Sequence, residues 1–216
     1  MKSPISTLRR TCIVIPSVKS CFALMDRLGM PEHIRRHSIM VEQAAAVIAE
    51  AHVRSGAPLF EEMVRAGALL HDIAKAPCLE TGEDHAAKGR EICLSYHFTE
   101  ISDIVGEHVK LRRFDPDGKV LEKEIVYYAD KRVNHDRIVS LEERLSDLIE
   151  RYSRGSDELA LRIRSNFAVC RDVERKLFHN LTFRPEDLSR LVEQAEAPAR
   201  LEGRGAIGAG PKGDVP

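Results

Sequence analysis

The sequence predicts an all-α protein, and three observations carry that expectation. Apolar residues recur at intervals of three and four through most of the chain, and turn-forming residues separate those runs. No segment alternates with period two for long enough to make a strand. A length of 216 residues suits one domain with a small appendage and is ample for a sizeable core.

The elements follow in chain order. Residues 1–15 lack a sustained period and read as an N-terminal extension ending before Pro16. Val18, Cys21/Phe22, Met25 and Leu28 fall at helical spacing, with Gly29 as the stop. Pro31 opens a second helix whose stripe is Ile34, Val41, Ala44/Ala45 and Ile48, closing before Gly56 and Pro58. A third carries Leu59, Met63, Ala66, Leu70 and Ile73/Ala74. Thr81-x-x-Asp84 has the form of a capping box for a fourth, with Ile92, Cys93 and Tyr96. A fifth holds Ile101, Ile104/Val105 and Val109. Asp115-Pro116-Asp117-Gly118 is a turn signal, and Leu121, Ile125, Tyr128/Ala129 and Val133 mark a sixth helix after it. Ile138 to Tyr152 and Leu159 to Leu177 continue the period, and a short last helix opens at Pro185 and ends near Ala195. The expected organisation is an extension over 1–15, a main helical bundle over 16–153, a C-terminal helical extension over 154–196 and a disordered Gly/Pro-rich tail over 197–216.

Charge and cysteine use narrow the class. Thirty-three Lys and Arg against 34 Asp and Glu give a formal charge of −1, which argues against bulk electrostatic binding to nucleic acid. The basic residues of the last helices are interleaved with acids and read as a solvated face. Near the N-terminus the longest apolar stretch runs only from Cys12 to Ile15, far short of a membrane span. Five cysteines with no Cys-x-x-Cys pair fit a reduced, cytoplasmic setting, with the thiols as small buried hydrophobes.

The nine histidines are the unusual entry. His37 lies between Ile34 and Val41 on the apolar stripe of its helix, and His108 follows Ile101 and Ile104 in the same way. Asp130 lies between Val126 and Val133. A buried imidazolium or carboxylate costs several kcal/mol unless it is compensated, so one such residue is a core hydrogen-bonding group and three on three helices call for more. His71-Asp72 and His85 add to the set. A metal cluster inside a helical bundle would satisfy them together, with neutral imidazole ligands and a carboxylate able to bridge two ions. His33, His52, His97, His135 and His179 fit no ligand pattern.

The order His37, then His71-Asp72, then Asp130 resembles the HD-domain metal-dependent phosphohydrolase superfamily. Ala68-Leu69-Leu70-His71-Asp72-Ile73-Ala74-Lys75 is its most specific part, and Tyr127-Tyr128-Ala129-Asp130-Lys131 resembles the segment bearing the last Asp ligand. The likeness spans Val18 to Tyr152. His85 and His108, between the paired His-Asp and the final Asp, resemble the two-metal subtype. The resemblance implies an HD-domain-like bundle over 16–153, with His37, His71, Asp72 and Asp130 around one ion. Asp72 would bridge to a second ion held by His85 and His108; the alternative is a one-metal site in which these two histidines contact phosphate.

It also implies phosphoester hydrolysis. Two ions about 3.5–4 Å apart can hold a hydroxide and stabilise attacking and leaving oxygens, with Asp72 central to that chemistry. Lys75 reaches toward a phosphate as a point charge, and Lys131 and Arg132, flanking Asp130, are candidates for the same role. Glu107, Glu142 and Glu143 are candidates to orient the imidazoles. The ligand types suit Fe, Mn, Zn, Ni or Co. The expected partner is a small phosphorylated substrate such as a nucleotide, with no membrane contact; homo-oligomerisation is left open. Two other classes fit the same ligands: a di-iron HD-type oxygenase, and a non-catalytic metal- or nucleotide-binding regulatory module. Gly203-Arg204-Gly205-Ala206-Ile207-Gly208 has the dinucleotide-binding spacing but neither the strand before it nor the helix after it, and carries no weight.

Overall fold

The structure, a computed structural model, describes residues 14–195. Among them nine α-helices and one minute hairpin confirm the helical class. The tail, all of the extension before Val14, and Cys12 lie outside the described residues. Ile15 packs against the core.

Helix α1, Val18–Arg27, is capped by Ser17, whose side chain accepts from the Ser20 amide. Helix α2, Glu32–Arg54, is long and turns both apolar and polar groups inward, including Ile34, His37, Val41 and Ile48. It packs chiefly on α3, Glu61–Leu70, and on α7, Glu122–Arg132. Helix α5, His85–Ser95, pairs with α6, Thr99–Glu107, beside that layer. Helix α8, Leu141–Tyr152, packs on α9, Asp157–Phe178, which buries Phe167, Cys170, Val173 and Leu177. A 3₁₀ turn, Pro185–Asp187, leads into helical residues 188–195.

Three boundaries differ from the sequence reading. The third helix stops at Leu70 instead of running through Ala74. Residues 71–74 form tight turns, with Ile73 N donating to Leu70 O and Lys75 N to Asp72 O, and a separate helix α4, Lys75–Thr81, follows. Thr81 therefore ends α4, and α5 is capped by Asp84 itself, which accepts from the amides of Ala86 and Ala87. The chain between α7 and α8 is a hairpin, β1 Val133–Asn134 against β2 Arg137–Ile138, paired Val133 to Ile138 and Asn134 to Arg137. Strands of two residues are too short to register as an alternating pattern.

Close approach of α6 depends on two glycines. A Cβ at Gly67 would lie 2.6 Å from Cγ2 of buried Ile104, and one at Gly89 would lie 2.8 Å from Cγ1 of Val105. Glycine lowers helix propensity by about 1 kcal/mol relative to alanine, so Gly67 trades local preference for packing. The obstructing methyl is on a β-branched residue that cannot swing aside in a full core. Gly67→Ala is therefore expected to destabilise the protein by about 1–2 kcal/mol despite its better propensity, measured by urea unfolding. A stabilised variant would show that α6 is free to move outward.

Candidate metal centre

His71 and Asp72 follow directly on α3, where His71 keeps right-handed helical dihedrals. Both are buried, Asp72 at 1% exposure and His71 fully. His37 comes from α2, His85 from the first turn of α5, His108 from the end of α6 and Asp130 from α7. All six predicted ligands are thereby brought together.

Their arrangement has two sides. Asp72 Oδ2 lies 3.3 Å from His71 Nε2 and 3.9 Å from His37 Nε2. Asp72 Oδ1 lies 3.4 Å from His85 Nε2 and 3.5 Å from His108 Nε2. Asp130 Oδ1 joins the first side, 3.1 Å from His37 Nε2 and 3.6 Å from His71 Nε2. His37, His71 and Asp72 form one group with metal-ligand spacing, and Asp72, His85 and His108 form a second that shares the same carboxylate.

Backbone carbonyls aim the rings. Nδ1 of His37 donates to His135 O at 2.9 Å, Nδ1 of His71 to Ala68 O at 2.7 Å, and Nδ1 of His108 to Val105 O at 2.6 Å. A carbonyl only accepts, so each Nδ1 carries hydrogen and each Nε2 is turned to the centre as a ligand nitrogen. Glu107, Glu142 and Glu143 do not perform this orienting role. Glu107 holds Lys123 and the Arg112 amide, Glu142 meets Arg171, and Glu143 caps α8 with Ser140.

The residues present fit a metal. His71 Nε2 and Asp72 Oδ1 are buried with no hydrogen-bond partner, and His85 Nε2 faces His108 Nε2 at 3.2 Å. Buried polar atoms left in this state are costly, and a cation between them removes that cost. The charge balance points the same way. Burial opposes ionisation of Asp72, but His71 and Lys75 hold its carboxyl well below the usual range. Burial likewise opposes Asp130, which Lys131, His37 and His71 hold low. Burial disfavours charge on His71, yet the two carboxylates outweigh it and raise that imidazole. Burial pushes His108 down to about 4, against its contact with Asp72. Two ionised carboxylates thus face the inward nitrogens, and a divalent ion bound there would displace the proton that they favour on His71.

The flanking cations divide. Lys75 Nζ donates to Asp72 Oδ2 at 2.7 Å and lines the adjoining cavity. Lys131 Nζ donates to Asp130 Oδ2 at 3.1 Å and to the His108 carbonyl, 4.2 Å from the centre of the Tyr127 ring. Arg132 does not face the cluster, contrary to expectation. Its guanidinium donates to Val139 O, Tyr128 Oη and Pro185 O, 3.6 Å from Glu174. Two positions along a helix rotate a side chain by about 200°, which takes Arg132 off the face that carries Asp130.

Sequence reasoning missed Arg144 of α8. It lines both hollows that flank the cluster, and its Nε is buried without a partner. Its Nη1 donates to Asn134 Oδ1 at 3.1 Å and to Asp147 Oδ2 at 3.0 Å. The larger hollow, about 320 Å³, is bounded by Asp72, His85, His108 and Asp130 on one side and by α8 and α9 on the other. The smaller, about 180 Å³, lies toward His37, His135 and Arg151.

The HD domain family model matches residues 34–155, more than half of the chain, and the protein belongs to that family. Its members are typically metal-dependent phosphohydrolases. Neither the curated proteins nor the solved structures yield a match. No helix among the described residues is long and apolar enough to cross a membrane.

The reassignment of Arg132 has a measurable consequence. Arg132→Met should cost about 2 kcal/mol by leaving Glu174 and Tyr128 short of a partner, discounted for the partial exposure of Glu174. Chemical unfolding reads this directly, and metal content per folded chain should be retained. An unchanged midpoint with impaired substrate binding would restore Arg132 to the site.

Proposed function

We propose that the protein is a metal-dependent phosphohydrolase acting on a phosphate ester or nucleotide. The observation that carries this reading is the Asp72 carboxylate, which presents one oxygen to His37 and His71 and the other to His85 and His108. That geometry suits a bridge between two ions, with Asp130 completing the first side and Fe, Mn, Zn, Ni or Co matching the donor set. When bound, such ions supply Lewis acidity and lower the pKa of water toward about 7.

The chain's own residues would do the rest. Lys75 is tied to Asp72 and faces the cavity, where its ammonium can meet a phosphoryl oxygen. Lys131 is locked between Asp130 and the His108 carbonyl, so it steadies two ligands and offsets their charge. Arg144 reaches the cleft from the far wall and suits a phosphate oxygen not held at the cluster. Burial of Asp72, His71 and His108 strengthens the electrostatic interactions they make.

Purified protein should bind about two transition-metal ions per chain and release phosphate from a phosphoester in the presence of Mn, Fe, Co or Ni. Asp72→Ala should lose both properties. Arg144→Ala should keep its metal and raise KM by about tenfold through loss of a charge-assisted contact. Metal analysis and a phosphate-release screen check all three. Unaltered metal content in Asp72→Ala overturns the site, and oxygen uptake by iron-loaded protein without phosphate release would replace hydrolysis with oxygenation.

A further inference from the structure

We infer that α9, which lies beyond the family match, is a substrate-selecting wall for an apolar, ring-sized organic group carried by the phosphoester; this rests on the phosphohydrolase reading above. The larger hollow has unlike sides. Where the ligand side presents carboxylates and imidazoles, α8 and α9 present Leu148, Ile163 and Phe167, and Val109, beside His108, adds to the apolar lining. An ester with a small hydrated alcohol gains nothing from such a wall, whereas burying a ring against it is favourable.

Three exposed apolar side chains converge on the same opening. Leu79 of α4 is 68% exposed, Tyr152 of α8 is 49% exposed, and Val109, just past α6, is 39% exposed, and all three line the hollow. Single exposed apolar residues need no explanation, but three from separate elements around one mouth mark a surface that a ligand covers. A dry cavity of about 150 Å³ is enough for benzene, so about 320 Å³ has room for one or two rings beside a phosphate.

The wall is fixed rather than loose. Tyr127 Oη lies 2.9 Å from both Asn166 O and Asn166 Oδ1, and Asn166 Nδ2 donates to Val109 O at 2.9 Å. Further along, Tyr128 donates to Glu174 and Lys176 to Glu124. Asn166 is the polar side chain that α9 contributes to the hollow, and its amide is committed to these contacts. The wall accordingly reads size and apolarity, with tolerance for the identity of the ring.

The test compares 1-naphthylphosphonate with methylphosphonate, bound to the full-length, Mn-loaded protein and followed by calorimetry. The naphthyl compound should bind about thirtyfold more tightly. Ile163→Asp and, independently, Val109→Asp should each cut that ratio by about tenfold. Leu161→Asp, on the 65% exposed face of α9, should leave it intact. Equal affinity for the two phosphonates, binding of neither, or a ratio unmoved by both wall variants overturns the inference. Turnover distinguishes the underlying reading: ring-selective binding with no phosphoester hydrolysed supports the wall and defeats hydrolysis. Turnover without ring preference does the reverse.

Discussion

A carboxylate at 1% exposure is the constraint around which this molecule is organised. Removing Asp72 from water costs several kcal/mol, and the surrounding structure supplies compensation from every direction. Lys75 meets one oxygen, and four imidazoles from four elements converge on the two oxygens. Three of those imidazoles, His37, His71 and His108, are held in turn by backbone carbonyls. The formal charge of −1 conceals this concentration of charged groups around Asp72 and Asp130.

Helices were legible in the sequence because burial on one face leaves a period of three to four, and the stripe from Phe167 to Leu177 is buried as that period requires. The candidate ligands were legible for the same reason inverted. His37 and His108 stand out because they interrupt apolar stripes, and both are buried. The break between α3 and α4 was not legible, since Ile73 and Ala74 keep the apolar spacing while the backbone tightens to three-residue hydrogen bonds. Nor was the choice among cations. Arg132 sits two residues from Asp130 yet faces away, and Arg144 lies a hairpin and a helix turn further on yet faces the cleft. The carbonyl of His135 carries no side-chain signature; it reaches His37 because its residue adopts φ +57° in the hairpin turn.

Electrostatics and shape are thereby assigned to different parts of the chain. The family-matching segment gathers charge into a small buried volume and contributes α8 to the opposite wall, and α9 beyond the match completes that wall. Loops with glycine or left-handed residues, at Gly29, Gly56, Gly82 and Gly155, connect the elements without entering the cluster.

Helix α7 joins those parts. Tyr127, Tyr128 and Arg132 bracket Asp130, and the first two reach α9 through Asn166 and Glu174, with Arg132 close to the same glutamate. The family match ends at residue 155, yet Asn166 and Glu174 beyond it hold the helix that carries Asp130. Fraying of α9 would leave the hydroxyls of two buried phenols on that helix without their acceptors, a cost that opposes local opening at the C-terminal side.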